Sequence, residues 1–381
     1  MIKVGIIGTG NISAEHITAY SEFPDRCKIV ALCDIYPERS YEKIEQFGLK
    51  DVDVYPDHKE LLARGDLDLI SVSTPPQCHA EIAANAMNAG CNVLVEKPMA
   101  ASLEECDMLL EVQKKTGKIL SVMSQNRFFD NIQDVKAVLE TGMTGRILHA
   151  QVESCWWRGL SYYDLWWRGR WENEGGGCTL NHAVHHIDMM LWVMGMPESV
   201  TAVISNANHN NSEVEDISVA ILGYPNGALT QLTSSVIHHG EPQQIIFQCE
   251  KARVSSPWKV CANLAQPNGF PSDKNDAELE GKLNEFVENR RKLEYTRFIG
   301  QIENVLSAVE NNTSPLVTGQ DGRNAVELIT AIYKAGTLEQ KICLPISKDD
   351  DFYTKEGLLN KVPRFYEKTA SLLHMDGENT Y

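Results

Sequence analysis

Several histidines follow three consecutive glycines, Gly175 to Gly177, in the middle of the chain. Asn181 and His185 are four residues apart, so on a helix they share one face, and Asp188 falls on the same side. Imidazole titrates close to neutral pH and suits proton transfer, while an amide offers hydrogen bonds to a polar ligand. The spacing therefore predicts a helix on which Asn181 and His185 point at one substrate.

A second histidine pair, His182 and His186, is also spaced four residues apart, on a neighbouring helix face. Two such histidines can bind a metal, but the sequence implies no third ligand, and histidines packed beside a sheet are commoner. We predict that no metal is bound, and we keep His182 as a candidate contact for the substrate.

An aromatic segment precedes the glycines. Five of the seven tryptophans lie within sixteen residues, interleaved with tyrosines and arginines, and these are Trp156, Trp157, Trp166, Trp167 and Trp171. Flat indole faces cover the C–H faces of sugar rings, and an arginine at the edge can bind hydroxyls. A core or subunit-interface cluster is the alternative for about half of these residues. The candidates for substrate contact are Tyr163, Trp166 and Arg168.

A glycine-rich turn, Gly8-Thr9-Gly10-Asn11-Ile12-Ser13, stands near the start of the chain. Gly8 permits a tight turn, Gly10 lets the backbone approach a pyrophosphate, and the next helix presents free N–H groups to it. Ser13 stands where a third Gly or Ala is usual. The motif is weak evidence alone, but it follows a predicted strand and precedes a predicted helix, which indicates a dinucleotide site.

Asp34 completes this predicted site at the end of the second strand, 21 residues beyond Ser13. Its carboxylate would accept hydrogen bonds from both ribose hydroxyls and repel a 2′-phosphate, which favours NAD over NADP. Arg39 lies nearby and weakens that preference. A glycine turn with a helix-capping aspartate is the alternative interpretation.

The elements that position these residues alternate in the first third of the chain, an order typical of a parallel sheet wound by crossover helices. The predicted strands are residues 2–7, 28–33, 69–73, 92–95 and 119–123, and the predicted helices are 12–22, 37–47, 78–89 and 102–116. Beyond residue 125, the predicted strands are 146–156, 199–205, 216–223, 228–236 and 244–249, and the predicted helices are 180–194, 295–311 and 322–337. The later strands predict an antiparallel sheet, with a long loop or insertion at 262–290.

Composition excludes several classes of protein. The 381 residues carry 35 Lys and Arg against 52 Asp and Glu, and the net charge of −17 opposes binding to nucleic acid or an anionic membrane. No apolar run reaches the ~18–20 residues of a membrane span, and the N-terminus lacks a signal peptide pattern. The ten cysteines are scattered without a Cys-x-x-Cys pair, which predicts reduced thiols in a cytoplasmic protein.

Further motifs stand in order along the chain. They are Gly8-Thr9-Gly10, Thr74-Pro75-Pro76, Glu96-Lys97-Pro98, Gln125-Asn126-Arg127, Gly175-Gly176-Gly177 through His185 and Asp188, and Pro315-Leu316-Val317-Thr318-Gly319. Over residues 2–346 the sequence resembles the Gfo/Idh/MocA oxidoreductases. The resemblance implies an α/β fold, with an N-terminal Rossmann domain and a C-terminal α/β domain on an open, mostly antiparallel sheet. We place these domains at 1–125 and 126–348, followed by a tail at 349–381 that either wraps a neighbouring subunit or frays.

The resemblance implies an NAD(P)-dependent dehydrogenase that acts on a secondary alcohol of a sugar, glycoside or polyol. Lys97, joined to Pro98 by a cis bond, then reaches the reacting hydroxyl and the nicotinamide ribose, and His185 is the general base. Asn181 replaces the aspartate of many relatives, so it binds substrate without raising the pKa of His185. Arg127 is a further candidate for substrate contact. The cofactor candidates are Gly8, Gly10, Asn11, Ile12, Asp34, Thr74, Pro75, His79, Glu96, Lys97 and Asn126.

Two other functions stay open at this point. One keeps the fold but cleaves glycosides with tightly bound NAD, through transient oxidation at sugar C3 and elimination of the aglycone. The other is a non-catalytic dinucleotide-binding sensor, against which the presence of Lys97 and His185 argues. An open sheet also needs its second face covered, which predicts a homodimer or homotetramer.

Overall fold

A sheet of six parallel strands forms the N-terminal part of the structure, a computed structural model that describes residues 1–372. The strands are β1 (Ile2–Ile7), β2 (Cys27–Cys33), β3 (Asp53–Tyr55), β4 (Leu69–Val72), β5 (Asn92–Val95) and β6 (Leu120–Val122). The helices are α1 (Ser13–Ser21), α2 (Pro37–Phe47), α3 (His58–Leu62), α4 (Pro76–Asn88) and α5 (Leu103–Thr116). The strand order β3-β2-β1-β4-β5-β6 reverses between β1 and β4, which confirms the predicted Rossmann arrangement.

Burial and length explain which strands and helices of the N-terminal part the sequence predicts and which it does not. Every residue of β4 is buried, and such apolar runs predict strands that helices cover on both faces. The sequence analysis misses β3 and α3, which are only three and five residues long. The side chain of Asp57 caps α3 by accepting a hydrogen bond from the Lys59 backbone N–H at 2.8 Å.

An eight-stranded sheet and a separate two-stranded ribbon form the C-terminal part. The strands are β7 (Ile147–Cys155), β8 (Ser199–Ser205), β9 (Ile217–Gly223), β10 (Leu229–Ser235), β11 (Gln243–Cys249), β12 (Arg253–Ser256), β13 (Lys259–Cys261), β14 (Asn263–Ala265), β15 (Pro271–Asn275) and β16 (Ile342–Cys343). The sheet order is β13-β12-β11-β7-β10-β9-β8-β16, and β14 pairs with β15. The prediction of a mostly antiparallel sheet is confirmed, with one parallel pair, β7 and β10, that the sequence does not indicate.

Helices cover one face of this sheet. The helices of the C-terminal part are α6 (Asp130–Glu140), α7 (Trp171–Glu174), α8 (Cys178–Asn181), α9 (Val184–Met194), α10 (Ala277–Asn289), α11 (Arg297–Asn311), α12 (Gly319–Leu338) and α13 (Lys355–Lys361). α12 packs on β8 and α9 packs on β7. On the other face, Val203, Ile221 and Leu229 are 70%, 44% and 49% exposed. The sheet therefore has an uncovered apolar face within the chain.

The helix predicted over 180–194 is two helices, and this prediction is wrong in its first turn. The backbone N–H groups of His182 and Ala183 both donate to the Cys178 carbonyl, at 3.1 and 3.0 Å, which ends α8. α9 then begins at Val184, and the Ile187 N–H donates to the Ala183 carbonyl at 2.8 Å. Because the axis breaks between α8 and α9, residues four apart across the break do not share one helix face.

The region 262–290, predicted as a long loop or insertion, contains the ribbon β14–β15 and the helix α10. The side chain of Asp276 caps α10 by accepting from the Leu279 N–H at 3.0 Å. Leu283 and Val287, one turn apart, are buried. The loop alternative is wrong, because two buried apolar residues in thirteen leave only a weak helical pattern among the charged ones, whereas the insertion alternative stays a prediction.

The segment beyond residue 348 packs on its own chain as far as the structure describes it. Tyr353 donates a hydrogen bond from its hydroxyl to Asp107 of α5 at 2.8 Å. Leu165 and Leu372 form a parallel β-bridge. Residues 373–381, also predicted as tail, lie outside the described residues. Between residues 1 and 372, none of the helices combines the length and apolar character of a membrane span.

Packing of α10 predicts a stability effect that a loop would not give. Leu283→Ala removes a fully buried side chain and should lower the free energy of unfolding by about 2–5 kcal/mol. Glu285→Ala, on the exposed face of the same helix, should change it by no more than about 0.5 kcal/mol. Thermal and denaturant unfolding measure both variants, and equal stabilities would contradict the docked helix.

Candidate active site

Lys97 and His185 lie where the two parts of the chain meet. Lys97 follows β5, and its Nζ donates to the backbone carbonyl of Asn181, at the end of α8, at 3.4 Å. His185 stands in the first turn of α9, near enough for the charge of Lys97 to lower its pKa. The bond between Lys97 and Pro98 is cis, which confirms that prediction. The structure therefore brings together the two residues predicted to be catalytic.

The Gly8 turn has the geometry that the dinucleotide motif requires. Gly8 has a φ of 91°, and a Cβ on it would lie 2.7 Å from the carbonyl carbon of Ser73 and 2.8 Å from the Thr74 nitrogen. A Cβ on Gly10 would meet no atom within 4 Å. The backbone at Gly10 thus faces open space at the start of α1, and the turn fits a pyrophosphate-binding cradle. Asn11 is exposed there, beside the turn.

Asp34 lies against this turn. Its Oδ2 accepts from the Thr9 N–H at 2.8 Å, and its Oδ1 accepts from the Tyr36 N–H at 3.0 Å. Oδ2 also accepts from the Thr9 hydroxyl at 3.2 Å, so Oδ1 is the oxygen that retains an acceptor position for a ribose hydroxyl. Ile12 is half-buried and occupies the N-cap position of α1. The structure therefore brings Asp34 to the glycine turn, as the spacing predicts.

His79 is fully buried, which corrects its prediction as a direct cofactor contact. Its Nδ1 lies 2.8 Å from the Pro98 carbonyl oxygen and its Nε2 lies 2.7 Å from the Thr74 carbonyl oxygen. Burial outweighs these two contacts and lowers the pKa of the imidazole. His79 thereby joins the Thr74-Pro75 loop, where Pro75 is exposed, to the backbone beside Lys97.

Glu96 is directed at α1. Its Oε1 lies 3.0 Å from Nε2 of His16, and its Oε2 accepts from the Lys97 N–H at 3.2 Å. Although burial acts to raise the pKa of Glu96, His16 and Lys97 hold it below its ordinary value. The carboxylate fixes the end of β5 against α1, and its direct contact with a cofactor stays a prediction. Asn126 is half-buried in the 3-10 helix after β6, and its cofactor contact also stays a prediction.

Burial sets the protonation of the catalytic candidates. The pKa of His185 is held well below its ordinary value by burial first, then by the charges of Lys97 and His186. Burial also lowers the pKa of Lys97, while Glu96 opposes that shift. At neutral pH His185 is therefore a neutral imidazole that can accept a proton.

Tyr162, His182 and Arg168 form the polar group nearest to this pair. The Tyr162 hydroxyl lies 3.5 Å from His182 Nε2 and accepts a hydrogen bond from the Arg168 guanidinium. Arg168 is buried, pairs with Glu174 at 3.1 Å, and lies 4.2 Å from the ring centroids of Tyr162 and Trp167. Among the described residues, Nδ1 of His182 has no hydrogen-bond partner. His182 and Arg168 thus meet at the Tyr162 hydroxyl, and their contact with substrate stays a prediction.

The sequence analysis selects Tyr163 as a candidate substrate contact and overlooks Tyr162, the residue beside it. Tyr163 is 1% exposed, and its ring packs on His209 with centroids 4.9 Å apart. Its prediction as a substrate contact is wrong, because the 3-10 helix Leu160–Asp164 turns one tyrosine into the core and the other towards His182. Trp166 is 48% exposed, and its contact with substrate stays a prediction.

The three glycines pack on Glu215 and Tyr333. A Cβ on Gly177 would lie 1.9 Å from the Glu215 carbonyl oxygen, and one on Gly176 would lie 2.1 Å from the Tyr333 hydroxyl. The Glu215 carboxylate accepts from the N–H groups of Gly177 and Thr179, each at 3.0 Å. Burial raises its pKa to about 7. Glu215 is a positioning residue that the sequence does not distinguish from its acidic neighbours Glu213 and Asp216, just before β9.

Asn181 closes the glycine loop with its side chain. Its Nδ2 donates to the carbonyl oxygens of Gly176 and Gly177, at 2.7 and 3.2 Å. With the α8–α9 break, this places Asn181 at the Lys97 ammonium through its backbone rather than beside His185 on one helix face. The shared-face prediction for Asn181 and His185 is therefore wrong, and substrate contact by the amide stays a prediction.

Arg127 is structural, and its prediction as a substrate contact is wrong. It is 1% exposed, and its Nε and NH2 donate to the two carboxylate oxygens of Asp188, each at 2.7 Å. NH2 also donates to Asp321 at 3.1 Å, and NH1 to the Leu316 carbonyl at 3.4 Å. The guanidinium thus makes four hydrogen bonds to protein oxygens. Asp188 accepts from Arg127 and lies three residues beyond His185 on the same helix, α9.

No group of three or more His, Cys, Asp and Glu side chains within residues 1–372 has the arrangement of a metal site. His182 and His186 remain a pair of separate imidazoles. Burial alone lowers the pKa of His186 to about 4.

Two family models match this chain in its two parts. The model of the oxidoreductase family with an NAD-binding Rossmann fold, Gfo/Idh/MocA, matches residues 2–124. The Gfo/Idh/MocA C-terminal domain model matches residues 132–255. The chain belongs to the Gfo/Idh/MocA family. This confirms the resemblance that the ordered motifs indicate.

Curated members of the Gfo/Idh/MocA family align with the chain to different extents. An uncharacterized oxidoreductase of Streptococcus pneumoniae is 29% identical over 57% of this chain and 57% of its own length. The chain thus spans less than two thirds of that relative. The myo-inositol 2-dehydrogenase of Thermotoga maritima is 25% identical over 89% of this chain and 97% of its own length.

A solved Gfo/Idh/MocA structure extends the likeness to nearly the whole fold. The WlbA dehydrogenase of Bordetella pertussis, in complex with NADH and UDP-GlcNAcA, is 28% identical with a TM-score of 0.75. The match covers 91% of this chain and 99% of that chain.

The buried Arg127–Asp188 contact gives a test that separates structure from substrate binding. Arg127→Ala leaves Asp188 buried without its partner and should lower the free energy of unfolding by about 3–5 kcal/mol. Arg146→Ala breaks an exposed pair with Glu250 and should cost no more than about 1 kcal/mol. Denaturant unfolding measures both. A stable Arg127→Ala variant that merely binds substrate less well would restore Arg127 to the substrate site.

Proposed function

We propose that this protein is an NAD-dependent dehydrogenase acting on a secondary alcohol of a sugar, glycoside or polyol. The observation that carries the proposal is the position of Lys97, whose Nζ donates to the Asn181 carbonyl just before α9 and whose charge acts on the buried imidazole of His185. Membership of the oxidoreductase family supports the reaction class. The names of the Thermotoga and Bordetella relatives, a polyol dehydrogenase and a dehydrogenase bound to a sugar nucleotide, support the substrate class.

NAD fits the Gly8 turn. The backbone at Gly8 and Gly10 would hold the pyrophosphate, and Asp34 would accept from the ribose hydroxyls. The Asp34 carboxylate disfavours a 2′-phosphate. Arg39, which could balance it, lies over the Tyr36 ring with its guanidinium carbon 4.8 Å from the centroid. When bound, oxidised nicotinamide accepts a hydride from the substrate carbon.

His185 and Lys97 divide the charge changes at the substrate hydroxyl. His185 accepts the hydroxyl proton, because its lowered pKa keeps the imidazole neutral and ready to bind it. The Lys97 ammonium stabilises the alkoxide that forms as the proton leaves. Its carbonyl partner, Asn181, and the buried Glu96 hold the lysine in place. The substrate loses one proton and one hydride and becomes a ketone.

The aromatic cluster supports a sugar as substrate. Tyr162 and Arg168 provide hydroxyl and guanidinium groups beside His182, and exposed Trp166 provides an indole face. One observation favours the glycoside-cleaving alternative. His182 is a second buried neutral imidazole, and elimination at a transiently oxidised sugar needs a proton acceptor besides His185.

The uncovered face of the C-terminal sheet supports a homodimer or homotetramer. Val203, Val219, Ile221 and Leu229 project from neighbouring strands on this face and are each more than a third exposed. A second copy packed on this face would bury them. All ten cysteines are free, which supports a reducing compartment such as the cytoplasm.

Turnover with a defined panel tests the proposal. Full-length protein, NAD and either myo-inositol, a methyl glucoside or UDP-GlcNAcA should give reduced cofactor, followed by absorbance. Lys97→Met should lower kcat by about 10²–10³-fold without weakening NAD binding, because a positive group at the alkoxide is lost. Lys115→Met, on the exposed face of α5, is the matched control.

The two enzymatic functions give different products in the same assay. Cofactor reduction equal to sugar oxidised supports the dehydrogenase. Release of the aglycone from a nitrophenyl glycoside without accumulation of reduced cofactor would instead support glycoside cleavage. Full turnover by Lys97→Met would remove Lys97 from its assigned role.

The pH profile reports on His185. Because the pKa of His185 lies well below its ordinary value of 6.5, kcat/KM for oxidation should stay level as pH falls to 6.5 and decline only below that. The decline follows from protonation, which removes the acceptor. His185→Gln should be slow at every pH and lack this acid limb. An acid limb centred at or above pH 6.5 would contradict His185 as the base.

A further inference from the structure

The C-terminal strap, residues 363–372, lies behind the substrate loop, residues 156–171. The loop carries Tyr162 and Arg168, which reach His182. We propose that the strap, clamped by Asn211, positions the substrate loop and thereby determines the affinity for the sugar. This inference rests on the proposed function for its kinetic readout, and it assigns a role to a segment outside both domains.

Backbone pairing joins the strap to the loop. The Trp166 N–H donates to the Leu372 carbonyl at 2.9 Å, and the Leu372 N–H donates to the Asp164 carbonyl at 2.7 Å. Leu165 and Leu372 thus form a parallel bridge. These bonds are made by Asp164 and Trp166, which lie between Tyr162 and Arg168 in the sequence. They therefore fix the backbone that determines the positions of the Tyr162 and Arg168 side chains.

Asn211 clamps the strap and the loop together from a third segment. Its Nδ2 donates to the Tyr163 carbonyl at 3.1 Å, to Asp164 Oδ1 at 2.9 Å and to the Ala370 carbonyl at 3.1 Å. Its Oδ1 accepts from the N–H groups of Thr369 and Ala370, at 2.8 and 2.9 Å. Asn211 is 8% exposed, so these bonds are shielded from water.

Two further contacts extend the clamp along the strap. Lys368, 8% exposed, donates from its ammonium to the Tyr163 carbonyl. The Trp171 indole donates to the Pro363 carbonyl at 2.9 Å, and Trp171 is fully buried. The strap and its clamp therefore contact the substrate loop at residues 163–166, directly after Tyr162, and at Trp171, three residues after Arg168.

The strap is separate from the cofactor turn. The contacts just described join it to the substrate loop and to Asn211, whereas the Gly8 turn is held by Ser73, Thr9 and Asp34. Without the strap, Tyr162 and Arg168 lose a fixed backbone, while Lys97 and His185 keep their supports. Sugar affinity should fall more than cofactor affinity, because a misplaced binding group weakens substrate positioning first.

Two truncations test the strap within the full protein. A chain ending at Val362 keeps α13, and with it the contact of Tyr353 to Asp107, but lacks the strap. Its KM for the best sugar of the panel should rise about tenfold or more, while the Kd for NAD stays unchanged. A chain ending at Leu372 is the matched control and should behave as the full chain. An unchanged KM in the Val362 chain would overturn the proposal.

Point variants test the clamp without removing any backbone. Asn211→Ala should raise the KM for the sugar with the Kd for NAD unchanged, whereas Asn210→Ala, an exposed neighbour, should change neither. A parallel loss of NAD affinity and sugar affinity in Asn211→Ala would indicate general destabilisation and overturn the positioning role.

Hydrogen exchange separates failure of this proposal from failure of the proposed function. In the Val362 chain, amides of residues 160–169 should exchange faster while those of β1 and β2 stay protected. This measurement needs no substrate, so it decides the strap proposal even where the full chain oxidises no sugar in the panel. Unchanged protection of residues 160–169 would overturn it.

Discussion

The buried contact of Arg127 with Asp188 is the constraint on which the rest of the site depends. Arg127 stands where the chain leaves the Rossmann domain, and Asp188 lies one turn beyond His185 on α9. Two parallel bonds of 2.7 Å fix both the distance and the rotation of α9, and Asp321 ties in the start of α12. Because both charges are desolvated, the pair adds little to the net free energy of folding. Removing one partner is nevertheless strongly destabilising, since it leaves the other charge buried and unpaired. It therefore sets where the His185 imidazole stands relative to Lys97.

Other buried carboxylates repeat this arrangement around the site. Glu215 holds the backbone of the glycine loop, Glu174 holds Arg168 and the Gly169 N–H, and Glu96 holds the start of the Lys97 backbone. Each accepts at least one backbone N–H within or beside a segment that carries a candidate substrate or cofactor residue. A buried acceptor left without donors is costly, so each of these groups resists displacement of the loop it binds. The site is thus fixed mainly by buried acids that do no chemistry themselves.

Periodicity and motif order predict the Rossmann sheet, the main C-terminal strands and the residues Gly8, Asp34, Lys97 and His185, because these depend on local pattern or on a family signature. They do not predict the role of Arg127, since spacing says which residues share a face but not which partner lies opposite. The same limit explains why the sequence analysis selects Tyr163 instead of Tyr162. The two residues are adjacent and of the same type, and only tertiary packing decides which of them is buried. The break between α8 and α9 depends on one carbonyl, that of Cys178, and leaves no trace in composition.

The charged groups that act most on the site histidine His182 are positive, although the chain as a whole is negatively charged. The net charge is −17, yet the groups that lower the pKa of His182, after burial itself, are Arg158, Arg168 and Lys97. Burial keeps His182 and His185 neutral, and the charge of Lys97 adds to this effect at both histidines. Because its pKa is lowered, the protonated form of either histidine releases its proton more readily than an ordinary histidine does. Glu174 pairs with Arg168 in the interior, and the charge of Glu96 opposes the lowering of the Lys97 pKa, so the buried acids that fix the loops also compensate the buried cations that keep the proton acceptors neutral.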